Sequence, residues 1–260
     1  MYPHFLNARE FNIYINYRIT FTTHIMLSPV PYYGDKKIIV IIPVYNESII
    51  VRDVVNRLYE TQLRTIIVVD DGSKNNIQEL LKDLPVFYLR HRINLGQGAA
   101  LQTGFTFAKS LDADMVITFD ADGQHDVGDI EALIQPVKDD ETDVTMGSRF
   151  LSAGNNQIPQ VKKMILKMAR VVNFLLTGML LTDAHNGLRV MNKNALGKIY
   201  LTENRMAHAS EFLFQLKKHK LRYKEVPVKI SYTNYAREKG QSPWDSIKIL
   251  FDLVLHKLFR

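Results

Sequence analysis

The sequence predicts an α/β domain, a mainly parallel β-sheet with helices on both faces. Three observations carry that prediction. From Lys37 onward, short β-rich apolar runs alternate with segments of helical spacing. The first, second and fourth of these runs stop abruptly at Pro43, Asp70 and Asp120, with polar residues beyond. The composition, 46% hydrophobic and 23% charged over 260 residues, is that of an ordinary globular protein with enough chain to bury a sizeable core.

Residues 1–35 are aromatic-rich without clear periodicity and end in a breaker cluster from Ser28-Pro29-Val30-Pro31 to Gly34-Asp35. They are expected to form a poorly ordered leader. Ile38–Ile42 is a continuous apolar strand ending at Pro43, and Ser48–Glu60 follows as an amphipathic helix. Thr65–Val69 is a second buried strand, running into Asp70-Asp71-Gly72-Ser73, with a short helix, Asn75–Lys82, behind it. Val86–Leu89 is the third strand and leads through the loop from His91 to Gly96 into a helix over Gln97–Ser110. Met115–Phe119 is the fourth. Right-handed crossovers put the strand ends on one edge, which gathers Tyr45-Asn46-Glu47, Asp70-Asp71 and Asp120-Ala121-Asp122.

After this core, Val144–Met146 reads as a strand ending at Gly147-Ser148-Arg149. Val161–Leu180 has helical spacing, with Val161, Met164, Ile165 and Met168 on one face and Lys163, Lys167 and Arg170 opposite. His185–Met191 is extended, His208–His219 helical with Glu211 near its start, and Tyr223–Tyr232 a strand. Trp244–Phe259 carries a second apolar stripe. The domain organisation is therefore a leader over 1–35, one α/β domain over 36–232, and a basic loop with a C-terminal amphipathic helix over 233–260.

The absence of cysteine excludes disulfides, thiolate metal sites and cysteine catalysis. A net charge of +6 suits anionic partners, either phosphorylated small molecules or an anionic membrane surface. Nucleic acid is not expected, because the lysines are dispersed and no recognisable nucleic-acid motif is present. No apolar run reaches the roughly 18 residues that a spanning helix needs, and there is no signal peptide. The expected location is cytoplasmic, peripheral on the cytoplasmic face of a membrane through the two amphipathic segments.

Met115–Asp126 is the chemically pointed stretch. Asp120 and Asp122 are hard oxygen ligands at the carboxyl end of a strand, where α/β sheets bind ligands and where a divalent cation can grip phosphate. Taken alone, Asp-x-Asp is more often an acidic turn capping the next helix than a metal site. Asp70-Asp71-Gly72-Ser73 alone likewise reads as turn chemistry leading to a helix start. Gly96-Gln97-Gly98 is not a dinucleotide fingerprint, since its spacing is wrong and it follows the third strand rather than the first.

The ordered series IIPVYNES, VVDDGS, NLGQGAALQTG, FDADGQH, GSRF, DAHNGLRV and KEVPV resembles family 2 glycosyltransferases of the GT-A, Rossmann-like fold. It is most similar to the polyprenyl-phosphate branch, the dolichyl-phosphate mannose synthase-like enzymes, from about Lys37 to Ser242. The resemblance implies an inverting, metal-dependent transfer of a sugar from a UDP- or GDP-sugar to an undecaprenyl or dolichyl phosphate on the membrane, with Mg²⁺ or Mn²⁺ as cofactor. Alternatives are transfer to a hydroxyl of a lipid-linked oligosaccharide in surface polysaccharide synthesis, and a non-catalytic nucleotide-binding subunit. A separate integral-membrane partner protein is compatible with the absence of a spanning helix.

Carried onto this sequence, the resemblance places Pro43, Tyr45 and Glu47 against the nucleotide, and Asp70, with Asp71 nearby, where the base is received. Asn94, Gly96 and Ala99 match the nucleotide-sugar pocket. Asp120, Ala121 and Asp122 face the donor, with Asp122, Asp120 and Gln124 as the metal set. Arg149 and Arg189 are candidate phosphate clamps, with an ion pair as the alternative for each, and Asp183 matches an acid of the acceptor region, where His185 departs from the commoner family sequence. Arg237 and Lys239 match a basic loop near the diphosphate, although Pro243 stands where several relatives carry lysine.

Overall fold

Ile38–Val44 (β1) is buried along its whole length, and its alternating side chains feed two different cores. Ile38, Val40 and Ile42 pack with Val51, Val54, Val55 and Leu58 of helix α1 (Val51–Glu60) and with helix α4 (Ile130–Lys138). Ile39 and Ile41 face the opposite way, into a core shared with helices α3 (Gln97–Ser110), α5 (Lys193–Lys198) and α6 (His208–Lys218). A strand buried on both faces reads as an unbroken apolar run, as this one does.

The computed structural model describes residues 33–151, 171, 174, 178–184, 186–205 and 207–231. The remaining elements are β2 (Thr65–Asp70), α2 (Ile77–Leu81), β3 (Phe87–Arg90), β4 (Met115–Thr118), β5 (Val144–Ser148), β6 (Arg189–Asn192) and β7 (Tyr223–Pro227). They form one seven-stranded sheet in the order β3-β2-β1-β4-β6-β5-β7. All neighbouring pairs are parallel except that β6 runs antiparallel to both β4 and β5. The mainly parallel, Rossmann-like sheet with helices on both faces is therefore as expected, with one reversed strand.

The strand order fixes where a ligand can bind. From β1 the chain steps to β2 and β3 on one side, and β4 then starts on the other, so the sheet's switch point lies between the carboxyl ends of β1 and β4. Pro43 sharpens that gap. It pairs with Val69 of β2, but on the β4 side the ladder has already ended at Ile41 and Thr118, so its missing N–H costs no sheet hydrogen bond.

Four local expectations change. Helix α1 begins at Val51 rather than Ser48, because Glu47 closes a turn by accepting from Ile50 N and Val51 N. Helix α4 was not expected, although Ile130, Leu133, Ile134 and Val137 form its buried stripe; Pro136 lies inside it and reads as a breaker. Of the extended structure expected over His185–Met191, the strand observed is β6, which runs on to Asn192. Finally, β7 stops at Pro227, and the chain pairs again where Ile230 bridges His125.

The amphipathic segment Val161–Leu180 lies outside the described residues except for Val171, Phe174 and Gly178–Leu180, as do the leader up to residue 32, Arg237, Lys239 and Trp244–Phe259. Among the described residues no helix is long and apolar enough to cross a membrane.

Candidate active site

Two loops flank the switch point, one after β1 and one after β4. Asn46, in the left-handed region at φ 57°, ties the first loop to the turn after β2. Its amide N donates to Ser73 Oγ at 2.9 Å, and its Oδ1 accepts from Lys74 N at 2.9 Å. Across the gap stand Asp120 and Asp122.

These two carboxyls differ in their surroundings. Asp120 accepts from Gln97 Nε2 at 2.9 Å and lies 3.6 Å from His125 Nε2. Burial pushes its pKa up, but the hydrogen bond from His125, with the charge of Arg189 behind it, outweighs burial and holds it below the usual range. Gly187 makes this position possible, since a Cβ there would sit 2.0 Å from Asp120 Oδ2. Asp122 is shifted the other way. Burial and the neighbouring charge of Asp120 raise its pKa, Glu47 adds to them, and Gln124 N and His125 only partly offset the rise.

Gln124 braces Asp122 through its backbone N at 3.0 Å and its side-chain Nε2 at 2.7 Å. A half-buried carboxylate beside others, short of counter-charge, is the chemistry that a divalent cation relieves. Asp122, then Asp120, with Gln124 alongside, could hold one. Among the described residues no group of three or more His, Asp or Glu is placed to hold a metal, so the other ligands would come from a bound molecule and water.

Asp70 and Asp71, at the carboxyl end of β2, are both buried. The Asp70 side chain has no exposed surface and accepts from Ser73 N at 2.8 Å and Tyr88 Oη at 2.6 Å, with Arg90 Nε 3.5 Å away. Asp71 accepts from Leu95 N, Gly96 N, Asn94 Nδ2 and His91 Nδ1 at 2.7–2.9 Å. His91 Nε2 continues to Thr103 Oγ1 at 2.9 Å. The pair expected to receive a base thus presents no open carboxylate. Its visible work is to hold the loops after β2 and β3, while Tyr45 and Ile93 are exposed at this end of the sheet.

The amino end of α3 is likewise occupied. Gly98 N and Ala99 N donate to Asn204 O at 2.8 and 3.3 Å, and a Cβ on Gly98 would sit 2.0 Å from Glu203 O. Glu211 anchors the incoming loop by accepting from Thr202 N, Thr202 Oγ1 and Glu203 N.

On the other side of Asp120, at the end of β5, Arg149 Nε and Nη2 reach Asp183 at 2.6 and 3.2 Å, and Arg149 N joins them at 3.2 Å. Asp183 is buried and also lies within 3.4 Å of Asn186 Nδ2. Arg189 is buried. Its Nε donates to Asn186 O at 3.0 Å, and its guanidinium carbon lies 4.3 Å from the centre of the Phe212 ring. Burial lowers its pKa to about 10 against the pull of Asp120 and Asp183, so it remains a cation at neutral pH.

A sheet with its switch point at a pair of acidic loops is common to many nucleotide-binding folds, and comparison with known proteins decides among them. Residues 39–200 match the family described as Glycosyl transferase family 2. The chain belongs to that family. It is 36% identical to the UDP-N-acetylglucosamine–dolichyl-phosphate N-acetylglucosaminyltransferase of Methanococcus voltae, over 86% of this chain and 98% of that one. It is 28% identical to the dolichol-phosphate mannosyltransferase of Pyrococcus furiosus, over 85% of this chain and 62% of that one. Glucosyl-3-phosphoglycerate synthase of Mycobacterium tuberculosis, solved with Mn²⁺, UDP and glucosyl-3-phosphoglycerate, shares the GT-A fold at a TM-score of 0.65. That likeness covers 86% of this chain and 79% of that chain at 14% identity.

The protein is thus a nucleotide-sugar-dependent glycosyltransferase. In this glycosyltransferase the residues that sequence reasoning overlooked are those that brace others: His91 beneath Asp71, His208 beside Arg189, and Gln97 on Asp120. Only Gln97 carried a signal, since it lies within the Gly96-Gln97-Gly98 motif. Arg237 and Lys239 lie outside the described residues, and Ser231 N donates to Gln124 O at 2.8 Å.

Proposed function

We propose that this glycosyltransferase moves a sugar from a UDP-sugar, an N-acetylhexosamine first among them, to a polyprenyl phosphate at the cytoplasmic face of a membrane, with inversion at the anomeric carbon. The pairing of Asp183 with Arg149 carries the acceptor assignment. A sugar-hydroxyl acceptor needs a base, and Asp183, the acid matched to that region, is buried and committed to a guanidinium. A phosphate monoester, with a second pKa of about 6, is already largely ionised at neutral pH and needs no base. The M. voltae relative supports both the UDP-sugar donor and the lipid-phosphate acceptor.

In this reading Tyr45 and Glu47 flank the nucleotide and Asp122 lies at the diphosphate. Asp122, Asp120 and Gln124 would hold a Mg²⁺ or Mn²⁺, which would supply counter-charge to the departing diphosphate. Arg149, steadied by Asp183, orients the acceptor phosphate in line with the leaving group and offsets the repulsion between the two anions. A phosphate oxygen forms the new bond to the anomeric carbon, the bond to the nucleoside diphosphate breaks, and its electron pair leaves with that diphosphate. Arg189 stays beneath the surface as fixed positive charge between the two halves. Arg237 and Lys239 add cationic groups from the loop that follows Ser231, and the protein acts alone or with an integral-membrane partner.

The test is a panel of UDP- and GDP-sugars with Mg²⁺ or Mn²⁺, assayed with a short polyprenyl phosphate, the corresponding polyprenol and a lipid-linked saccharide. UDP-N-acetylglucosamine with the phosphate should give a β-linked product, chelator should abolish it, and Asp122→Ala should lose most turnover while retaining its melting temperature. Preference for a GDP-sugar overturns the donor assignment. Transfer to a hydroxyl but not to the phosphate overturns the acceptor assignment.

A further inference from the structure

We propose that Glu225, on the edge strand β7, is a positioning residue for the acceptor-side guanidinium, acting through Thr182 and Asp183 without touching substrate. The inference rests on the reading of Arg149 as the group that orients the acceptor phosphate. Acidic side chains on an edge strand commonly serve only to discourage further strand pairing. Glu225 is engaged differently. Strand alternation turns it away from the core that holds its neighbour Val226 and towards the segment containing Thr182.

Its carboxylate accepts from three donors on that segment. Thr182 N lies 2.9 and 2.8 Å from the two oxygens, Thr182 Oγ1 lies 2.8 Å from Oε1, and Asp183 N lies 2.9 Å from Oε1. Hydrogen bonds to an ionised acceptor are roughly twice as strong as neutral ones, so this carboxylate anchors the turn firmly. The hydroxyl bookkeeping gives the chain of contacts a direction. Thr182 spends its only hydroxyl proton on Glu225, so Ser148 Oγ, 2.6 Å away, must donate to Thr182 Oγ1. Ser148 Oγ in turn accepts from Phe150 N at 3.3 Å.

One carboxylate therefore steadies Arg149 by two routes. Through Asp183 it fixes the partner that grips the guanidinium, and through Thr182 and Ser148 it fixes the backbone on either side of Arg149. Register agrees: β5 and β7 pair Met146 with Glu225 and Ser148 with Pro227, which sets the carboxylate just short of the end of β5.

The experiment compares Glu225→Ala, Thr182→Val and Arg149→Ala, singly and as the Glu225→Ala/Arg149→Ala pair, in initial-rate assays with UDP-N-acetylglucosamine and a short polyprenyl phosphate. Expected are a fall of about tenfold or more in kcat/KM for the acceptor in Glu225→Ala, since small displacements of a positioning group cost that much, with donor KM little changed. Thr182→Val, which keeps the backbone contact but breaks the hydroxyl route, should show the same acceptor-side loss in smaller measure. The double variant should be no worse than Arg149→Ala alone, because the two residues act as one unit. If Glu225→Ala fails to fold, Thr182→Val alone and in the Arg149→Ala background carries the same comparison. Equal losses for donor and acceptor, or losses that multiply with Arg149→Ala, would show a merely structural role and overturn the inference. No acceptor effect of Arg149→Ala would instead overturn the reading of Arg149 itself.

Discussion

Replacing His208 with Asn should remove a measurable pH dependence from the stability of the fold. Burial pushes the His208 pKa from the ordinary 6.5 down to about 4; Arg189 adds to this, and the Arg205 carbonyl, Asp120 and Glu211 offset it only in part. The folded-state value is below the unfolded one, so the unfolded chain takes up the proton first. Stability is therefore intact above about pH 7, is lost as pH falls through 6.5, and stops changing below about 4. At about 1.36 kcal/mol for each tenfold difference, the full effect is about 3.4 kcal/mol, of which about 2 kcal/mol is lost between pH 8 and pH 5. Urea unfolding of both proteins across that range measures it. His208→Asn can keep a donor near the Arg205 carbonyl, 2.6 Å from Nδ1, and its cavity cost is the same at every pH. The wild-type and variant curves should converge by about 2 kcal/mol on acidification. Parallel curves would refute the argument, because they would show that His208 is not buried as a neutral imidazole.

Two further outcomes follow from close packing. Gly187→Ala should reduce turnover by about a hundredfold, since the new methyl would sit 2.0 Å from Asp120 Oδ2 and must displace that carboxylate; steady-state rates within twofold of wild type would show that Asp120 has room. Asp71→Asn should cost about 3 kcal/mol in unfolding free energy, because an amide nitrogen would replace an oxygen in a buried ring of donors from His91, Asn94, Leu95 and Gly96. An unchanged denaturation midpoint would contradict that count.

The fold was legible wherever local pattern and burial agree. β1, β2 and β4 are apolar on both faces and could be placed to within about two residues, and α3 occupies the predicted Gln97–Ser110. Reversal of β6 was not legible, because a four-residue strand, three of its residues buried, between two neighbours looks the same in either direction. In the site, the order of motifs located the acidic loop after β4 and the arginine at the end of β5. It did not show which carboxylates stay available. Asp71 is closed off by residues 20 to 25 positions away, and Asp183 by an arginine 34 positions away, and sequence spacing is silent on such pairings. Resemblance identifies a position, whereas accessibility depends on what the rest of the fold packs against it.

Arg189 has a consequence for how the two substrates meet. This buried cation feels both Asp120 and Asp183, so in the proposed reading it is shared by the half of the site that takes the donor and the half that takes the acceptor. Whatever neutralises Asp120 loosens one claim on Arg189 and strengthens the other, and thermodynamic reciprocity makes that influence equal in both directions. Donor and acceptor affinities should then be linked rather than independent. Calorimetric titration of the donor with and without a short polyprenyl phosphate would read the linkage directly, and identical dissociation constants would show that the shared charge transmits nothing.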